Sequence, residues 1–156
     1  MVWQPYADQG SARAQYNISI LYGNGLGVKK DPETALKWMS LAAEGGYLNA
    51  QKRLATMYDE GENAPKDLKQ AHKWYLATAL QGDVRAQRRL GFMYASGEGV
   101  PQDMAQGYMW LRVAAEAGDT TAKKSFDLLA GELKPEQINS GKELVTAWLD
   151  NRRATD

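Results

Sequence analysis

The sequence predicts an all-α fold, a right-handed α/α superhelical solenoid of antiparallel helix pairs built from 36-residue repeats. Three observations carry this. Ala14 returns as Ala50 and Ala86, Tyr22 as Tyr58 and Tyr94, and Trp38 as Trp74 and Trp110, each time 36 residues on. Eight rows hold one residue type in all three full copies, headed by Ala14, Gln15, Tyr22, Gly25, Asp31, Trp38, Ala43 and Gly46. Within each copy, apolar residues recur at helical spacing on both sides of a break. A single helix pair would leave one apolar face in water, so such units are stable only when stacked.

The chain is expected to divide into a remnant or cap of a preceding helix over 1–10, repeats over 11–46, 47–82 and 83–118, and a partial fourth repeat with a capping helix over 119–156. Together these make one domain. Ala7 and Gly10 fall one period before Ala43 and Gly46, so the opening stretch reads as the end of a helix. The chain is expected to continue upstream, a short cap being the alternative. In the first repeat, Ala14, Ile18, Leu21 and Tyr22 set a helical period, and Gly23 through Gly27 stop it. Asp31-Pro32-Glu33 restarts it, with a side-chain acceptor at the N-cap, Pro at the first helical position and an acid in the first turn. The second helix sets Ala35, Trp38, Met39, Ala42 and Ala43 on one side and ends at Gly45-Gly46.

The second repeat follows with Ala50, Leu54, Met57 and Tyr58, a loop over 59–66, and a helix from Asp67. The third has Ala86, Leu90, Met93 and Tyr94, a loop over 96–101, and a helix from Asp103. Small residues at Ala43, Ala79 and Ala115 allow close backbone approach, and the Tyr and Trp rows fill the space between. The fourth repeat begins at Asp119 with Ala122, Phe126 and Leu129 and is expected to break at Gly131. Pro135 opens a last helix with Ile138, Leu144, Val145, Trp148 and Leu149, read as a cap whose outer side carries Lys142, Glu143 and Asp150. The last three residues, 154–156, are expected to fray.

With 156 residues, 44% hydrophobic and 24% charged, the chain suffices for one continuous core. Lys plus Arg and Asp plus Glu both number 19, so no global field draws it to nucleic acid or anionic lipid. No apolar run approaches the roughly 18 residues of a membrane span. Met1-Val2-Trp3-Gln4-Pro5 lacks the basic and apolar regions of a signal peptide. Cysteine is absent, which removes disulfides, thiolate metal sites and cysteine nucleophiles and leaves the compartment open. Both a cytoplasmic location and, after removal of an upstream signal, a periplasmic or secreted one remain open.

The residues that suggest chemistry have plainer readings. His72 is the only histidine and shares a row with Leu36 and Tyr108, which makes it a packing residue without a matching nucleophile or second His. The glycine loops follow helices and lack a Lys-Ser/Thr, so they are turns and not phosphate cradles. Asp31, Asp67 and Asp103 each stand alone at an N-cap, with no second acid at ligand spacing. The Tyr and Trp rows keep the packing period and read as core, not as a platform for bases. No catalytic residue, metal or cofactor is expected.

The unit A-x7-Y-x2-G-x5-D-x6-W-x4-A-x2-G, with Gly-x-Gly-Val between its helices, resembles the Sel-1-like repeat, a branch of the tetratricopeptide-type α/α solenoids. The match covers roughly residues 11 to 130, and the terminal helix looks like the usual end of bacterial members. Copy two departs at Asn63-Ala64, where the others have Gly-Val, and at Thr78 in a small-residue row; copy three has Gly107 where Ala35 and Ala71 sit. These departures bear on loop geometry and helix stability. The resemblance implies an adaptor or scaffold that binds proteins, without catalysis. Bacterial relatives are often exported.

In solenoids of the tetratricopeptide type the first helices line the concave surface. At about 100° per residue, positions 13, 16, 17 and 20 face away from the apolar side of the first helix. Their rows supply the candidate protein-binding groove: Arg13, Tyr16, Ile20, Lys52, Arg53, Arg85, Arg88, Arg89, Phe92 and Lys124. Acids are nearly absent there and concentrate in caps and loops, among them Asp31, Glu44, Asp59, Glu98 and Asp103. Arginine suits bidentate carboxylate contacts, and the apolar points supply anchors. The expected partner is therefore an acidic or amphipathic peptide or protein. The alternatives are a solvated face on which Lys and Arg keep the helices soluble, and a structural element that oligomerises or docks through its ends by way of Trp3, Tyr6 or Trp148. An enzyme would need a recurrent acid, base or nucleophile in the groove. RNA binding is disfavoured by a pI near 6.6 and the acid-rich loops.

Overall fold

The computed structural model describes residues 1–154, and among them the regular structure is helical throughout. The elements are α1 (Gln4–Asp8), α2 (Ala12–Asn24), α3 (Pro32–Glu44), α4 (Leu48–Glu60), α5 (Leu68–Leu80), α6 (Val84–Ser96), α7 (Met104–Glu116), α8 (Thr120–Glu132) and α9 (Pro135–Arg153). The first helices of the repeats begin at 12, 48, 84 and 120, so the 36-residue period of the sequence is the period of the helices. The chain forms two compact units, Met1–Thr78 and Ala79 onward.

Caps set this register. Asp31 Oδ1 accepts from the Thr34 N–H at 3.1 Å, Asp67 Oδ1 from Gln70 at 3.0 Å, and Asp103 Oδ1 from Gln106 at 3.0 Å. The first helices are capped in the same way by Asp83 and Asp119, each accepting at 2.8 Å from the N–H three residues on. Each such bond satisfies a first-turn N–H that has no partner within its own helix. Gly25, Gly61 and Gly97 end the first helices in the left-handed region, at φ 70°, 75° and 77°. The loop then closes identically three times, with the N–H groups of Asp31, Asp67 and Asp103 donating to the carbonyls of Tyr22, Tyr58 and Tyr94 at 2.9 Å. Asn63 keeps the second loop in line. Its φ of 61° lies beside those of Gly27 (71°) and Gly99 (73°), a conformation asparagine tolerates better than other side chains.

In the first unit α1 packs on α2, α2 on α3 and α3 on α4. Ala7, Ala14 and Ile18 form one buried cluster with Tyr22 and Trp38 against it. Met39, Ala42, Ala43, Leu54, Met57 and Trp74 belong to a second. Thr78, which stands in a small-residue row, is buried with its hydroxyl donating to the Trp74 carbonyl at 3.1 Å, so the extra oxygen is satisfied within its own helix.

In the second unit α6 and α8 pack on α7, and α9 lies against α7 as well. Leu111, Ala114 and Ala122 are buried beneath Phe92, Phe126 and Leu129. Trp148 of α9 meets Trp110 of α7 edge to face at 5.1 Å, and a Cβ on Gly141 would lie 2.5 Å from the Tyr108 ring. The expected break at Gly131 does not occur. Helix α8 runs through Gly131 to Glu132, because that glycine faces open space and costs the helix only its propensity. The turn comes instead before Pro135, which disfavours helical geometry in the residue preceding it, and Lys134 is extended with ψ 152°. Of the residues expected to fray, Ala154 is a turn, and Thr155 and Asp156 lie outside the described residues.

Gly107 has a packing reason. A Cβ there would meet the Ala95 Cβ at 3.1 Å and the Ala95 backbone nitrogen at 3.2 Å. In the first repeat the same crossing pairs Gly23 on α2 with Ala35 on α3. The glycine has changed sides, and the close approach of the two helices is kept.

Candidate protein-binding face

The face centres in the first unit on α2 and α4. Arg13, Lys52 and Arg53 are exposed, whereas Tyr16 and Ile20 are half-buried and pack against the Leu54 and Met57 cluster. The Tyr16 ring lies 5.0 Å from that of Tyr47, which stands at the N-cap of α4. Ile20 and Arg53 come together at one pocket, floored by Ala35, Met39 and Met57 and edged by Asn24 and Asn63. Arg13, Tyr16 and Lys52 do not line it.

In the second unit Arg85 and Lys124 are exposed, and Arg88, Arg89 and Phe92 are half-buried. Two of these arginines already have carboxylates. Arg88 Nη1 donates to Asp119 Oδ2 at 2.7 Å, and Arg89 Nη2 to Glu98 Oε2 at 3.0 Å. The cap and loop acids thus reach back to the basic rows, which row-by-row reading of one helix does not reveal. Phe92 packs toward Leu111 and Ala114 and serves the core with much of its ring. Arg13, Arg53, Arg85 and Lys124 have no acidic partner among the described residues.

The electrostatics follow from these contacts. Burial opposes ionisation of Asp119, but the Ala122 N–H and the Arg88 guanidinium outweigh it and hold the carboxyl below its ordinary value. Asp31 is lowered by the backbone N–H and hydroxyl of Thr34, so its two oxygens serve the cap. Partial burial lowers His72, which favours the neutral ring. Among the described residues no group of three His, Asp or Glu is placed to hold a metal ion, and no helix is long and apolar enough to cross a membrane.

Sequence reasoning missed the pocket residues Asn24, Asn63 and Met57. Asn63 was visible as a departure from a glycine row, and Gly23 as the partner of Ala35, but neither points to a cavity until α2, α3 and α4 are assembled. Gln15, Gln51 and Gln87 form one of the rows identical in all three copies, and their role is visible only in the structure. Each is buried, and its Nε2 donates to the carbonyl eight residues back, at Ala7, Ala43 and Ala79, at 3.2, 3.1 and 3.2 Å. The row ties each first helix to the C-terminal carbonyls of the helix before it.

The Sel1 repeat family model matches residues 12–47, 48–83 and 84–119. The chain belongs to the Sel1-repeat family. A crystal structure of a Sel1 repeat protein from Oxalobacter formigenes is similar at 36% identity and a TM-score of 0.69, covering 81% of this chain and 96% of that one. A second, of c5321, a protective antigen present in uropathogenic Escherichia coli strains and displaying an SLR fold, is 39% identical with a TM-score of 0.67 and covers 79% of this chain. This chain spans 26% of that protein's length. A search among curated proteins finds no significant match. Membership makes the fold an all-α helical solenoid of 36-residue Sel1 repeats. Sel1-repeat proteins generally mediate protein–protein interaction, and the family is typically a non-enzymatic scaffold.

Proposed function

We propose that this chain is a non-catalytic adaptor whose first-helix faces bind an acidic or amphipathic segment of a partner protein, not nucleic acid. The observation that carries the reading is the set of exposed cations without carboxylates, Arg13 and Arg53 in one unit and Arg85 and Lys124 in the other. A cation meant only for solubility can equally be an ion-paired one, as at Arg112–Glu116 and Lys123–Asp127 on other surfaces of the molecule. Lys52, Arg88 and Arg89 stand beside them, the two arginines with their charge already met by Asp119 and Glu98, and Tyr16, Ile20 and Phe92 offer apolar contact. In this reading the fourth repeat over 119–156 acts as a cap, since α9 covers α7. Docking through the N-terminal end is the second reading, favoured by the exposure of Trp3 and Tyr6, 38% and 57%. Trp148 supports it less, being engaged edge to face by Trp110 and lying 5.5 Å from the Arg152 guanidinium.

The test is a pull-down at low and moderate salt with wild type and an Arg53→Glu, Arg85→Glu variant of equal helicity. Partners captured by wild type, weakened by salt and lost in the variant support the face. The same partners on both proteins at both salts refute it, and a Trp3→Ser, Tyr6→Ser variant then examines the end.

A further inference from the structure

We infer that the pocket between α2, α3 and α4 is a site for one small aliphatic side chain carried next to a carboxylate. The inference rests on the protein-binding reading above and names the chemistry that its first unit selects. The pocket holds about 60 Å³ of space for water-sized contents. A cavity of roughly 150 Å³ takes a benzene ring, so this one suits a valine or alanine side chain and excludes an aromatic. Its floor is largely apolar, formed by Ile20, Ala35, Met39 and Met57, and the one buried hydroxyl there, of Ser19, is already given to the Tyr16 carbonyl at 2.6 Å. Its edge is made of donors. The Arg53 guanidinium has no acidic partner, and the Asn63 side chain has no hydrogen bond among the described residues. Asn24 Nδ2 is already given to the Ile20 carbonyl at 3.1 Å. An arginine and an amide at the mouth of an apolar hollow complement a carboxylate that follows an aliphatic group.

Two features of the chain open the site. Gly23 lines it and leaves out a methyl group that would sit 3.6 Å from the Ala35 Cβ. Asn63 stands at the left-handed loop position where the other two repeats have glycine and no side chain. The second unit has Ala95 in the place of Gly23 and Pro135, at the start of α9, in the place of Asn63. Two of the features that shape the hollow in the first unit therefore have no counterpart at the same positions in the second.

The probe is a set of blocked tetrapeptides, acetyl-Gly-Val-Glu-Gly-amide with its Val→Phe and Glu→Gln versions, titrated at millimolar concentration into 15N-labelled full chain. The Val-Glu peptide is expected to shift the amides of Ile20, Met39, Met57 and Asn63, and each altered peptide to bind at least tenfold more weakly. Gly23→Ala fills the pocket with a methyl group while leaving Arg53 and the helix intact, and should abolish the shifts. Arg53→Gln should remove the preference for Glu over Gln. Absence of shifts with the Val-Glu peptide, or equal binding by Gly23→Ala, overturns the inference. If Gly23→Ala binds peptide as wild type does while Arg53→Glu, Arg85→Glu loses its partners in the pull-down, the face stands and the pocket alone is wrong.

Discussion

Arg88 Nη1 donates to Asp119 Oδ2 at 2.7 Å, and these residues stand 72 positions after Tyr16 and Tyr47, whose rings lie 5.0 Å apart. One junction between successive first helices is closed by an ion pair in one unit and by an aromatic pair in the other. Tyr16 and Arg88 therefore belong partly to the joint between repeats. This narrows the cations without a carboxylate to Arg13 and Arg53 in the first unit and Arg85 and Lys124 in the second.

The ion pair is expected to stabilise the second unit in a pH-dependent way. Asp119→Asn keeps the N-cap, since asparagine caps as well as aspartate, but removes the charge. A loss of about 1 kcal/mol is expected in urea unfolding at pH 7. Because the folded carboxyl titrates below its ordinary value, its contribution is complete above pH of about 4 and fades as pH falls through the folded value. Wild type and variant should converge in acid. A gap that persists undiminished at pH 2 would assign the loss to something other than this carboxylate.

The glutamine row gives a second test. Gln51 is buried and its Nε2 meets the Ala43 carbonyl at 3.1 Å, an acceptor at the end of α3 that also takes the Gly46 N–H at 3.0 Å. Gln51→Leu is more apolar and of similar size, yet it should cost about 1–2 kcal/mol because it removes a buried amide bond to a helix end. Gln51→Glu should cost more, since a carboxylate there faces a carbonyl oxygen. Unchanged denaturation midpoints in both variants would remove the row's structural role.

These contacts explain what could be read in advance. The period, the caps at Asp31, Asp67 and Asp103, and the glycine stops are local properties of a few consecutive residues, so the sequence displays them directly. The pairing of Arg88 with Asp119, 31 residues away, depends on how α6 and α8 sit on α7, and helical spacing within one element carries no trace of it. The pocket at Ile20 and Arg53 is hidden for the same reason. Gly131 misled because a glycine signals a helix end only where the backbone must turn left-handed, and here α8 ends in the extended residues Leu133 and Lys134 ahead of Pro135.

The loop of the second repeat tests the left-handed reading of Asn63. With φ at 61°, Asn63→Gly should leave stability within a few tenths of a kcal/mol or raise it slightly, as the rows of Gly27 and Gly99 suggest. Asn63→Val places a β-branched residue in a region it rarely adopts and should cost about 1–2 kcal/mol. Thermal melts of the two variants check the order. Equal melting temperatures would mean that the loop relaxes to another conformation at little cost.

The exchanged glycines make the sharpest contrast. Ordinarily Gly→Ala inside a helix gains about 0.5–1 kcal/mol, and Gly23→Ala should do so, because the new methyl would stand 3.6 Å from the Ala35 Cβ. Gly107→Ala should have the opposite sign. Its methyl would press on Ala95 at 3.1 Å to Cβ and 3.2 and 3.3 Å to backbone atoms, and forcing α6 and α7 apart should cost about 1–3 kcal/mol. Adding Ala95→Gly recreates the pairing of the first repeat and should return part of that loss, the remainder reflecting the backbone contacts that a smaller side chain cannot relieve. Urea midpoints of the three variants decide the matter: if Gly107→Ala melts above wild type, as propensity alone requires, the close approach of α6 and α7 is not what keeps glycine at position 107.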